Sequence, residues 1–96
     1  MFVVIFRAVI AETDEDYNRT ARRLRQLAQE EYGCLRSESF REGDRELTIS
    51  YWETREQIDR WKRDAEHRKA QEKGRAKWYR SYQIEIAEIV DETKFR

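Results

Sequence analysis

The run Phe2-Val3-Val4-Ile5-Phe6, continued by Ala8-Val9-Ile10, constrains this chain more than any other feature. Its β-branched and aromatic residues favour a strand. A strand with one wet face alternates apolar and polar residues. This one scarcely does, so both of its faces are expected to be covered. Helices can cover one face. The other needs a second layer, and only 96 residues are there to supply it. Ordering them costs roughly 1.5 kcal/mol each, on the order of 140 kcal/mol in all. With 42% of the residues charged, few apolar side chains offset that cost. A second copy of the chain is the expected cover. The run is too short to span a membrane, and it lacks the basic lead-in and cleavage site of a signal peptide.

The rest of the chain alternates in type. Thr13 or Asp14 caps a helix, in which Tyr17, Ala21, Leu24 and Ala28 recur at helical spacing, with Leu27 beside them. It ends near Tyr32-Gly33, where glycine suits a left-handed position. Cys34 to Arg41 reads as a weak strand, and Glu42 to Arg45 as a turn. Leu47, Ile49 and Tyr51 then alternate with Thr48, Ser50 and Trp52, completing a hairpin. Thr54 and Gln57 form a capping box, followed by the stripe Ile58, Trp61, Ala65. That stripe fails at Arg68 and Lys69. A second one, at His67, Ala70, Gly74 and Trp78, runs in a different phase. The spacing predicts a helix break near Asp64, with Asp64 capping a second short helix. Tyr82 to Val90 is the last strand. Tyr82, Ile84 and Ile86 share one face and Ala87 and Ile89 the other, so a bulge is expected near Ile86-Ala87. The order strand–helix–strand–strand–helix–strand defines an α+β class with the split βαβ pattern. One domain over residues 1–90 and a tail over 91–96 are expected.

Composition excludes several functions. Lys+Arg and Asp+Glu number 20 each, so no excess of positive charge recommends a nucleic acid. Disorder is rejected despite the charge, because aromatics make up 12% and the apolar residues are periodic. Without proline and with three glycines, no segment reads as a linker. Cys34 stands alone, so there is no disulfide framework. A cytoplasmic setting is expected. No phosphate loop, zinc pattern or nucleophile elbow is present, and the single histidine rules out a multi-histidine metal site.

What remains is an aromatic group around that histidine. Tyr51, Trp52, Trp61, Trp78, Tyr79 and Tyr82 have a plain alternative role, since aromatics are the largest contributors to a small core. For Tyr51 and Trp61, core packing is preferred about two to one over ligand contact. Trp78 and Tyr79 have cap or interface packing as their alternative. His67 is the one side chain whose ordinary pKa lies between pH 5 and 8. At the start of a helix the dipole favours its neutral form, which is competent as a base or an iron ligand. Cap or surface histidine is the equal alternative. An outward, solvated Arg36 is preferred over an inward one. Cys34 has no activating neighbour.

The segment Tyr51-Trp52-Glu53-Thr54 through Trp61-Lys62 resembles the strand-to-helix passage of the antibiotic biosynthesis monooxygenase-like family, with its Trp-Glu and second Trp. Ala65 to Arg68, Lys77 to Tyr79 and Ser81-Tyr82 are similar to one bacterial branch, and Gly33-Cys34-Leu35 matches the family's Gly-x-Leu. The resemblance covers nearly the whole chain. It implies a ferredoxin-like βαββαβ domain with an antiparallel sheet, pairing sheet to sheet as a dimeric α/β barrel. Some relatives oxidise phenols with O₂ and no metal or flavin; others bind and degrade haem. The haem-degrading members place an Asn on the first strand, where Phe6 stands here, and their iron-ligating His falls at Gln71; only their helix Trp, at Trp61, is matched. The resemblance therefore implies a monooxygenase acting on a small aromatic or quinol-type molecule. Its candidate catalytic residues are His67 and Trp61, with Phe6, Tyr51, Trp52, Gln71 and Trp78 around the substrate. No cofactor and no metal are expected. Haem binding or degradation, and a non-catalytic dimeric binding module, are the alternatives.

Overall fold

A computed structural model describes all of residues 1–96. Its strands are β1 (Phe2–Ile10), β2 (Arg36–Glu42), β3 (Arg45–Trp52) and β4 (Tyr79–Glu88). The helices are α1 (Glu15–Glu31), α2 (Arg55–Lys62) and α3 (Ala65–Lys73), and a π-helical turn at Gly74–Trp78 joins α3 to β4. The four strands form one antiparallel sheet in the order β2-β3-β1-β4. This is a ferredoxin-like α+β fold.

Local chemistry accounts for most element ends. Asp14 caps α1, accepting from the Tyr17 N–H at 2.8 Å. Gly33 leaves that helix at φ +84° and Gly43 makes the β2–β3 turn at φ +60°, conformations that cost other residues 1–2 kcal/mol. Thr54 and Gln57 form the expected reciprocal capping box. The break at Asp64 is also present: its carboxylate accepts from the His67 N–H at 3.0 Å and starts α3.

Three boundaries differ from expectation. β2 begins at Arg36 rather than Cys34, because the Cys34 N–H is spent closing α1, on the Ala28 carbonyl. β4 begins at Tyr79 and ends at Glu88. No bulge interrupts Ile86-Ala87; pairing is regular there, and the register shifts instead at Val9/Ile10, opposite Tyr79. Tyr82, Ile84 and Ile86 face the helices, Ala87 alternates to the other face among Ser81, Gln83 and Glu85, and Ile89 lies beyond the strand, so no bulge is needed.

The faces follow from the register. Phe2, Val4 and Phe6 pair with Trp52, Ser50 and Thr48 and share the helix-covered face. There Trp52 and Ile58, each 1% exposed, anchor the core with Ala28 and Cys34. Full burial of such side chains contributes roughly 1.5–3 kcal/mol apiece. Val3, Ile5, Leu47, Ile49 and Tyr51 lie on the opposite face, which no helix of the chain covers, and Phe40 beside them is 56% exposed.

Candidate active site

A cavity of about 290 Å³ lies between the three helices and the sheet. Phe6, Trp52, Trp61, His67, Gln71 and Trp78 all line it. Tyr51 does not. The strand alternation sends it, with Leu47 and Ile49, to the uncovered face, where the Arg36 guanidinium sits 4.3 Å over its ring. Trp52 points inward but is fully buried, its indole N–H donating to Ser50 Oγ at 2.9 Å. It forms the cavity's rigid wall.

His67 is fixed from three sides. Its backbone N–H is held by Asp64, its ring stacks on Trp61 with centroids 4.2 Å apart and planes 8° from parallel, and its Nδ1 lies 3.1 Å from the Trp61 carbonyl. That carbonyl can only accept, so Nδ1 carries the proton and Nε2 the lone pair. Nε2 makes no hydrogen bond within the chain. Burial pushes the His67 pKa below its ordinary value, against smaller upward pulls from the Trp61 carbonyl and Asp64. The ring is therefore neutral at neutral pH, with a free basic nitrogen in an apolar cavity. Asp64 is itself locked. Burial raises its pKa, but the Tyr32 hydroxyl (2.5 Å) and the backbone N–H groups of His67 and Glu66 outweigh this and leave it lowered.

The far end of the cavity holds a group that the sequence reading missed. Tyr17 donates its hydroxyl to Glu46 Oε1. Burial first, then the Glu46 contact, pushes the Tyr17 phenol up to about 12. Tyr79 lies beside both, its phenol also raised by burial and by Glu46, yet its hydroxyl forms no hydrogen bond of normal length and angle. Between the two ends, Ser37, Ser39, Thr48 and Ser50 line one wall with hydroxyls, Ser39 and Thr48 bonded to each other at 2.8 Å. The available signal was parity: counting back from Trp52 by twos gives Ser50, Thr48 and Glu46.

Trp78 is 2% exposed and packs edge-on to Tyr17, 5.2 Å between centroids. Its indole N–H helps hold the Asp14 carboxyl low, after Lys77 and the Tyr17 N–H, without completing a hydrogen bond of normal geometry. Cys34 is buried, and burial raises its pKa, which suits a packing role rather than a nucleophile. No three of the His, Cys, Asp and Glu side chains gather closely enough to hold a metal ion. No helix is long and apolar enough to cross a membrane.

The chain is thus a ferredoxin-like α+β domain with an aromatic-lined cavity under its helices. The chain belongs to the antibiotic biosynthesis monooxygenase family, whose model matches residues 1–73. It is 43% identical over 89 residues to the uncharacterised protein YqjZ of Bacillus subtilis, covering 92% of this chain and 78% of that one. Its fold is similar to that of SnoaB, a cofactor-independent oxygenase from Streptomyces nogalater, with a TM-score of 0.80 at 13% identity over 95% of this chain and 94% of SnoaB. Rv0793 from Mycobacterium tuberculosis has the same fold, with a TM-score of 0.80 at 14% identity over 97% and 98% of the two chains.

Proposed function

We propose that this protein is a monooxygenase that oxidises a small aromatic or quinol-type substrate with O₂ inside the cavity, without a cofactor. The observation that carries the reading is His67: a neutral imidazole, stacked on Trp61, with Nε2 unpaired at the wall of an apolar cavity. Nε2 takes the phenolic proton, and the resulting phenolate is electron-rich enough to reduce O₂. One oxygen atom becomes a ring carbonyl and the other leaves as water, so a phenol and O₂ give a quinone and water. The substrate supplies the electrons. Trp61 and Phe6 hold the ring, and Gln71 offers an amide beside His67. SnoaB's cofactor independence supports the absence of flavin or metal in this scheme.

Turnover of a phenol and quinol panel under O₂ tests the reading. His67→Ala is expected to lose about 10²–10⁴-fold in kcat, the usual worth of a positioned base. The acid limb of kcat/KM should fall below the ordinary histidine value of about 6.5, because the base stays neutral to lower pH. Turnover unaffected by His67→Ala would sink the assigned role. The free Nε2 also keeps a haem reading in view, and titration with micromolar haem that gives no Soret shift disposes of it.

The active form in this reading is a homodimer paired through the uncovered sheet face. Its apolar residues have the cover they need in a second copy.

A further inference from the structure

The cavity has a second polar end that the chemistry at His67 does not use. Glu46 lies on β3 on the same face as Trp52, three alternations away. Six residues of strand span roughly 20 Å. Trp61 packs against the Trp52 core and stacks on His67, so Glu46 marks the opposite end from His67. A carboxylate offers about four lone-pair sites; the Tyr17 hydroxyl takes one on Glu46 Oε1 and the Tyr79 hydroxyl approaches another, which leaves others open. Arg41, opposite Glu46 in the register, gives its Nε to the Gly43 carbonyl at 3.0 Å instead. The Tyr79 hydroxyl stands beside Glu46 and Tyr17 and leans on both, without completing a hydrogen bond of normal length and angle. Its ring is held in place by Phe6, with centroids 5.4 Å apart, and by Gly74, where any Cβ would come within 2.8 Å of it. An acceptor with lone pairs to spare beside a hydroxyl held only by imperfect contacts suits a ligand hydroxyl, which donates and accepts at once.

We propose that Glu46 and Tyr79 form a second ligand anchor, binding a hydroxyl of an aromatic ligand whose other hydroxyl meets His67, so that the cavity selects aromatic diols over monophenols. The anchor rests on the reading that an aromatic ligand occupies the cavity at His67. A cationic amine would also meet Glu46, but moving its charge into apolar surroundings is far costlier than moving a hydroxyl.

Tryptophan-quenching titrations under nitrogen test this without turnover. The probes are naphthol, a dihydroxynaphthalene with hydroxyls at opposite ends, its three-ring counterpart with the matching three-ring monophenol, and an aminonaphthol. The intact protein should bind a diol about tenfold tighter than the matching monophenol, the scale of one hydrogen bond to a charged group. Glu46→Gln should cut that preference to about threefold, as expected for a neutral acceptor, and Tyr79→Phe should also lower it. The preference is a ratio within one protein, so a general loosening of either variant does not mimic the effect, and Tyr79→Phe carries the test if Glu46→Gln fails to fold. Diols and monophenols that bind equally in the intact protein, or a preference unchanged in both variants, overturn the anchor and leave the His67 reading standing. No binding of any probe overturns both. Tighter binding of the aminonaphthol than of the diol overturns the assignment to a hydroxyl.

Discussion

His67 shows how much one residue's surroundings decide. On a surface it would titrate near 6.5; here burial favours its neutral form. Because its pKa is lower folded than unfolded, the unfolded chain binds more protons below about pH 6.5, and stability falls as pH drops through that window. The slope is at most about 1.4 kcal/mol per pH unit for a single group. His67 is the chain's one histidine, and the lowered carboxylates lose their contribution at lower pH, from about 4.5 downward for Glu66 and from about 3.8 for Asp14 and Asp64. Urea denaturation between pH 7 and 5 should therefore show a decline that His67→Gln flattens; an equal decline in both proteins would refute it. Gly74 poses the opposite kind of question, with two effects of opposite sign. Its backbone is helical, φ −59° and ψ −47°, so alanine should gain about 1 kcal/mol from propensity. But the new Cβ would lie 2.8 Å from the Tyr79 ring, itself wedged between Phe6 and Tyr17, and overpacking costs about 1–3 kcal/mol. The clash wins: Gly74→Ala is expected to destabilise by about 1 kcal/mol, and the sign should reverse in a Tyr79→Ala background. A more stable single variant counts against this packing.

At the scale of elements, the break between α2 and α3 places His67. Asp64 ends one helical phase and starts the next, and it does so with the carboxylate that also binds Tyr32. Asp64→Ala removes both bonds and is expected to cost about 1–2 kcal/mol, whereas Asp64→Asn, a good cap, should cost much less; equal losses in thermal melts would argue that the cap is not what holds α3. This break was readable because it changes the phase of an apolar stripe, and the capping box and Gly33 turn were readable because their chemistry is local. The orientation of β3 was not. Alternation of Leu47, Ile49 and Tyr51 with Thr48, Ser50 and Trp52 fixes two faces but not which one lies under the helices. The usual inference, apolar side inward, fails here because the cavity wall carries hydroxyls and Glu46 while the apolar set faces away. Tyr51 was grouped with the site by residue type, alongside Trp52, although alternation puts the two on opposite faces, and Glu46 was left out because it is not aromatic. Tyr17 and Tyr79 were seen as apolar bulk because only the fold brings their hydroxyls to Glu46.

At the scale of the whole molecule, that outward apolar face has no cover within the single chain. Ile5 and Ile49 pair at its centre, flanked by Val3, Leu47 and Tyr51, while charges stand at its margins, Arg7 paired with Glu85 and Arg36 over Tyr51. An apolar centre with a polar rim is the anatomy of an interface, and a patch of this kind on a lone chain is an aggregation liability unless something covers it. Sheet-to-sheet pairing of two copies also supplies the second cover that the unbroken Phe2–Phe6 run requires, since Val3 and Ile5 point outward while Phe2, Val4 and Phe6 point in. Stable interfaces bury about 1,200–2,000 Å² in total, within reach of one sheet face per copy. Ile49→Lys puts a charge at the centre, where two copies related by a two-fold axis would bring two such charges together. Sedimentation should give a two-chain mass for the natural protein and one chain for Ile49→Lys at the same micromolar concentration. The melting temperature of the natural protein should rise with concentration, as mass action demands of a dimer that unfolds to monomers. A folded single chain whose melting temperature ignores concentration would refute the pairing, and would require the outer half of β1 to remain in water.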